Sequence, residues 1–107
     1  MSDGTAGGNP AVRTLLGHER SKVVVTGELD AMSAPDVHAA IGAVASREVE
    51  LDLGAVTFID SSGLASVIEG HLRLAEQGRR LVVGDRSPIV QRLLDLSGVS
   101  RQLPIDD

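Results

Sequence analysis

Asp60, Ser61, Ser62 and Gly63 follow one another in this chain: a carboxylate, two hydroxyls and a residue with no side chain. Apolar residues flank them on both sides, Val56, Phe58 and Ile59 before and Leu64, Ala65, Val67 and Ile68 after. A serine at the start of a helix can carry a phosphoryl group, because free N–H donors and the helix dipole favour an anion there. The modification would add about −1.5 to −2 charges beside Asp60, a change that a partner can sense. Gly63 removes a side chain where the backbone of a partner or a nucleotide would need to approach. A plainer reading fits the same four residues, in which Asp60 or Ser61 caps a helix and does nothing more.

Other chemistries fit less well. A nucleophilic serine needs a base within hydrogen-bond reach and usually a strained G-x-S-x-G elbow, whereas the context here is D-S-S-G. His71 is ten residues further along the same predicted helix, about 15 Å away at 1.5 Å per residue. His38 and His18 read as solvated surface residues. The chain has no cysteine, which removes disulfides, thiolate metal sites and thiol nucleophiles together. It has neither a phosphate-cradling glycine loop nor a spaced set of metal ligands. We expect no enzyme activity, no cofactor and no metal.

Composition narrows the partners. The chain of 107 residues carries a net charge of −5 with a pI near 5.0, and Phe58 is its only aromatic residue. Phosphate-backbone binders need clustered cations, and single-strand binders need stacking rings, so nucleic acid is an unsuitable partner. No apolar run approaches the roughly 18 residues of a membrane span. The opening MSDGTAGGNP has neither the basic nor the apolar region of a secretion signal, so the expectation is a cytoplasmic domain without membrane insertion.

The elements that must position Asp60–Gly63 can be read from periodicity. Residues 1–10 are small and polar and are expected to form a flexible tail, with one domain over 11–107. Ala11–Leu16 is a weak strand. Lys22–Leu29, with three valines in a row, predicts a strand covered on both faces. A helix is expected from Ser33, with its hydroxyl as cap and Pro35 in the first turn, to about Ser46. Its buried stripe would be Val37, Ile41, Val44 and Ala45. Val49–Leu53 alternates as a strand. Leu64, Val67, Ile68, Leu72 and Ala75 then mark one face of a helix from Ser61 to Gln77, closed by Gly78. Leu81–Val83 predicts another strand. Ser87-Pro88 opens a last helix lined by Ile89, Val90, Leu93, Leu94 and Leu96 and ended by Gly98. Arg101–Ile105 is a final short strand that Pro104 confines to an edge. Arg79 and Arg80 read as an exposed entry to a strand, Phe58 as core packing.

Strands alternating with helices predict an α/β fold with a mostly parallel or mixed sheet of four to five strands and three to four helices. Sites in such folds gather where strands end and loops enter helices. Asp30 and Asp60 both fall at that end, so the topology should bring them together.

Three segments, LDLGAVTFIDSSGL, GELDAMSAPDV and SPIVQRLLDLSGV, resemble in order the STAS domains of bacterial anti-sigma factor antagonists. The resemblance runs from Val12 to Ile105. It implies a protein that binds an anti-sigma factor and so frees a sigma factor. It also implies that Ser61 is phosphorylated by that anti-sigma factor, an ATP-dependent serine kinase, and is reset by a serine phosphatase. Asp30, Asp60, Ser62, Gly63 and Leu64 would form the partner-binding surface of a monomer or weak dimer. Ala65 departs from the glycine common at that position. Two other readings remain: a STAS subunit of a membrane transporter complex, independent of phosphorylation, and a small nucleotide-binding protein.

Overall fold

The computed structural model describes residues 12–106, and the expected tail over residues 1–10 lies outside them. The elements are β1 (Val12–Leu15), β2 (Arg20–Leu29), α1 (Ala34–Ala43), β3 (Glu48–Ile59), α2 (Ser61–Glu76), β4 (Arg80–Arg86) and α3 (Pro88–Ser97), followed by a short 3-10 turn over Val99–Arg101. The sheet order is β1-β2-β3-β4. β1 runs antiparallel to β2, while β2–β3 and β3–β4 are parallel. This is the mixed α/β architecture that the alternating pattern predicts.

One apolar cluster joins sheet and helices. Val23, Val25, Leu51, Leu81 and Val83 meet Ile41, Val67, Leu74, Val90 and Leu94. The expectation of two-sided cover is corrected for β2. There Ser21, Val23 and Val25 are buried, while Lys22 and Val24 are only partly covered, the alternation of a strand with one face turned to solvent. β4 takes the two-sided role instead, since Leu81, Val82, Val83 and Gly84 are buried in succession. A parallel sheet can leave a face open only if polar groups satisfy it. Here Arg20 Nε lies 2.6 Å from Glu48 across the β2–β3 register, and Lys22 Nζ lies 3.8 Å from Glu50.

The helices follow their signals at the ends better than along their faces. α3 starts at Ser87-Pro88, with Ser87 Oγ accepting from Val90 N at 3.4 Å, and closes on Gly98 at φ 74°. That is the left-handed region in which glycine carries no Cβ penalty. In α2 the expected stripe is corrected. Leu64 and Val67 are buried as expected and Ile68 partly so, but Leu72 is 53% exposed and Ala75 is exposed, and the buried line runs Gly63, Leu64, Ser66, Val67, Gly70 and Leu74. Small residues let the helix lie close to its neighbours, and their low hydropathy hid the stripe. In α1, Val37 and Ile41 are buried as expected, Val44 is buried just beyond the helix end, and Ala45 is exposed. The expected last strand reduces to a single parallel bridge, Ile105 with Val83, beside Pro104 at the sheet edge.

Arg79 is also corrected. It is no exposed strand entry but a clamp: its guanidinium donates to Val44 O at 2.6 Å and to Ser46 O at 2.9 Å, just past the end of α1. Those carbonyls lack helical partners, and hydrogen bonds from a charged donor contribute about 1.5–3 kcal/mol each, a value reduced here because both bonds are only partly buried and water can replace them. Arg79→Ala should therefore lower unfolding stability by about 2 kcal/mol in denaturant titration. Arg79→Lys should recover less than half of that, since a single ammonium cannot reproduce the fork.

Candidate functional site

β2 and β3 end level with each other. Leu29 pairs with Ile59 in the parallel register, so the next residues, Asp30 and Asp60, emerge side by side. Asp60 N donates to Leu29 O at 3.4 Å across the junction. The topology thus delivers the juxtaposition expected from sequence.

Asp60 is the N-cap of α2. Its backbone is extended, at φ −122° and ψ −172°, and its Oδ1 accepts from Gly63 N at 3.0 Å. Its carbonyl accepts from Leu64 N at 2.9 Å, the first helical bond. The plain capping role is therefore real. It leaves Ser61 and Ser62 as the first residues of the helix, both exposed. Among the described residues neither hydroxyl holds a hydrogen bond. An unbonded hydroxyl at a helix N-terminus can accept a phosphoryl group without first breaking an internal contact. The phosphate oxygens would then face unused helix N–H groups.

Asp60→Ala removes the cap and should cost about 1 kcal/mol of stability. Asp60→Asn keeps the accepting oxygen and should stay within a few tenths of wild type in the same thermal melt. Any larger effect of Asn on partner binding would then report the charge and not the fold.

Asp30 organises the opposite lip. Its Oδ1 accepts from Met32 N at 3.0 Å and Ser33 N at 3.2 Å. Ser33 stands at the N-cap of α1 as expected, and its carbonyl accepts from Val37 N at 3.2 Å, but its hydroxyl makes no capping bond: its backbone is helical, its Oγ accepts from Asp30 N at 3.0 Å, and it donates to Glu28 O at 2.8 Å. Ser33 belongs to the turn that fixes Asp30. Local side-chain bonds of this kind compete with capping, and sequence spacing alone does not separate the two.

Two predicted site residues serve from beneath. Leu64 is 7% exposed and sits in the core cluster, so its side chain supports the turn. Gly63 is buried too, and the space it leaves is filled by the chain itself. A Cβ there would fall inside contact distance of the Leu29 carbonyl oxygen and 2.8 Å from its carbonyl carbon. The close approach is between α2 and β2, not with an outside molecule. Phe58, expected in the core, is 43% exposed at the end of β3. Met32 is 89% exposed in the loop after Asp30. Sequence reasoning passed over Met32, although a large apolar residue ahead of the first helical stripe was the available signal.

His38 cannot serve Ser61 as a base in this arrangement, because its Nε2 lies 3.0 Å from Ser66 O and 3.3 Å from Glu69. Among the described residues no group of His, Asp and Glu is arranged to hold a metal ion, and no helix is long and apolar enough to cross a membrane. The site offers two exposed hydroxyls beside a capping carboxylate.

Comparison with known proteins adds family likeness. Residues 13–105 match the family described as Mlab, STAS domain. The anti-sigma F factor antagonist of Paenibacillus polymyxa is 34% identical over 96 residues, which cover 84% of this chain and 82% of that protein. A solved anti-sigma factor antagonist from Mycobacterium paratuberculosis is 31% identical with a TM-score of 0.74, over 91% of this chain and 87% of the other. The Bacillus cell fate determinant SpoIIAA in its phosphorylated form shares the fold, with a TM-score of 0.67 at 22% identity over 91% of this chain and 92% of that one.

Proposed function

The chain belongs to the STAS domain family, and from that premise we propose that it is an anti-sigma factor antagonist switched by phosphorylation of Ser61. Unphosphorylated, it binds an anti-sigma factor through the surface around Asp30, Asp60, Ser61 and Ser62, and a sigma factor is released. The anti-sigma factor, acting as an ATP-dependent serine kinase, transfers a phosphoryl group to Ser61 Oγ. The complex then parts, and a serine phosphatase restores the hydroxyl. The base that takes the serine proton belongs to the kinase, so this chain is substrate and switch and works in the cytoplasm as a regulatory binding protein.

The observation that carries this reading is the exposed, unbonded Ser61 at the first position of α2, beside the capping carboxylate of Asp60. The names of relatives that cover most of the chain favour it over a transporter subunit. The test is incubation with each kinase-type anti-sigma factor of the same genome, with ATP and magnesium, followed by peptide mapping by mass. Phosphate is expected on Ser61 and absent from Ser61→Ala. Binding and phosphorylation that both fail with every candidate would overturn the reading in favour of the transporter subunit.

A further inference from the structure

Beside the switch, the ladder between β3 and β4 stops early. Its last pair is Leu53 with Arg86, and Ser87 N then donates to Leu53 O at 3.1 Å as the chain turns into α3. From Ala55 to Ile59, β3 pairs with β2 alone. Its other edge faces a groove lined by Ile59, Pro88, Ile89, Arg92, Leu93 and Leu96. This lining is unusual for a solvated surface. Leu96 is 76% exposed and Ile89 38%, although both lie on a helix whose buried side needs only Val90 and Leu94. The groove starts at Ile59, the residue before the N-cap Asp60, and is therefore continuous with the switch surface.

We infer that this groove is a second part of the partner interface, and that it takes an apolar segment of the anti-sigma factor bearing a carboxylate opposite Arg92. The inference rests on the function proposed above and adds the chemistry of the occupant. Among the described residues Arg92 has neither an ion pair nor a hydrogen bond. An unpaired guanidinium at an apolar rim suits a carboxylate, which it can hold in bidentate fashion. The same residue argues against a second copy of this chain as the occupant. Self-pairing across a two-fold axis would set equivalent groove surfaces, each with its Arg92, against one another, between molecules of net charge −5. Exposed apolar patches rimmed by a polar group mark interaction sites more often than chance surface.

The test uses the full chain and whichever anti-sigma factor binds the wild type. Leu96→Asp and Arg92→Glu change exposed positions, so both should keep the wild-type melting curve. Each should weaken binding at least about tenfold in calorimetry. Arg92→Glu should be rescued by replacing one acidic residue of the anti-sigma factor with lysine. Wild-type affinity in both variants, with Ser61 still phosphorylated and still releasing the complex, would overturn the groove inference and leave the switch standing. No binding by the wild type to any candidate would overturn the switch, and the groove inference with it. A wild-type dimer in sedimentation that Leu96→Asp dissociates, with partner affinity unchanged, would assign the groove to self-association and overturn the inference.

Discussion

A phosphate on Ser61 should weaken binding to the anti-sigma factor about a hundredfold or more, and Ser61→Asp should reproduce at least a tenth of that loss. The reason is placement. Ser61 is exposed at the first position of α2, one residue from the partly buried carboxylate of Asp60, with Asp30 on the neighbouring lip. In the free protein a phosphate there is tolerated, since helix N–H groups and water both solvate it. In a complex the water is removed, and about −1.5 to −2 charges must be held beside Asp60. Like charges brought together in a desolvated interface cost several kcal/mol, and each 1.4 kcal/mol is a factor of ten in Kd. Stability and affinity should therefore separate. The melting temperature of the phosphorylated protein should stay close to wild type, while calorimetry records the loss of binding. Ser61→Ala should bind as wild type and never be released by ATP. Equal affinity of the phosphorylated and unphosphorylated proteins would remove Ser61 from the switch, whatever enzyme modifies it.

The parts of this molecule legible in its sequence are those set by short-range chemistry. Ser87-Pro88 before α3, Gly98 after it and Asp60 before α2 act within one turn of the chain, so residue type and spacing are enough. The meeting of Asp30 with Asp60 was also legible, because parallel strands joined by helices must end at the same side of the sheet. What escaped depends on contacts distant in sequence. Arg79 finds its acceptors at Val44 and Ser46, 35 and 33 residues earlier, and no local pattern encodes that. Phe58 reads as core because it is aromatic in an apolar run, but it pairs with exposed Glu28 of β2 on the face opposite buried Ile59, the face of the sheet that the helices leave open. The groove beside α3 escaped as well. Ile89, Leu93 and Leu96 look like one buried stripe with Val90 and Leu94, although the sheet is wide enough to cover only part of it.

Gly63 carries the largest expected effect on folding. Gly63→Ala should lower stability by about 3 kcal/mol or more, the upper part of the range for overpacking, and the melting temperature by on the order of 15 °C for a domain of this size. The added Cβ would meet the carbonyl carbon of Leu29 at 2.8 Å, with the carbonyl oxygen closer still. That group cannot rotate aside, because it belongs to β2 and accepts from Asp60 N at 3.4 Å. Either α2 shifts away from β2 or the junction between Leu29 and Asp60 opens. Gly70 gives the contrast on the same helix. A Cβ there would meet only Ile41 Cδ1 at 3.2 Å and Leu81 Cδ1 at 3.4 Å, the ends of side chains that can turn. Gly70→Ala also gains helix propensity of up to about 1 kcal/mol, so its net effect should be small. A Gly63→Ala protein as stable as Gly70→Ala would mean that α2 does not approach β2 this closely. The position of Ser61 over the strand ends would then lose its structural basis. If the large loss is found, partner binding should fall with it even where the variant is still mostly folded, because the atoms displaced by the new methyl group are those that set Asp60 and Ser61 in place.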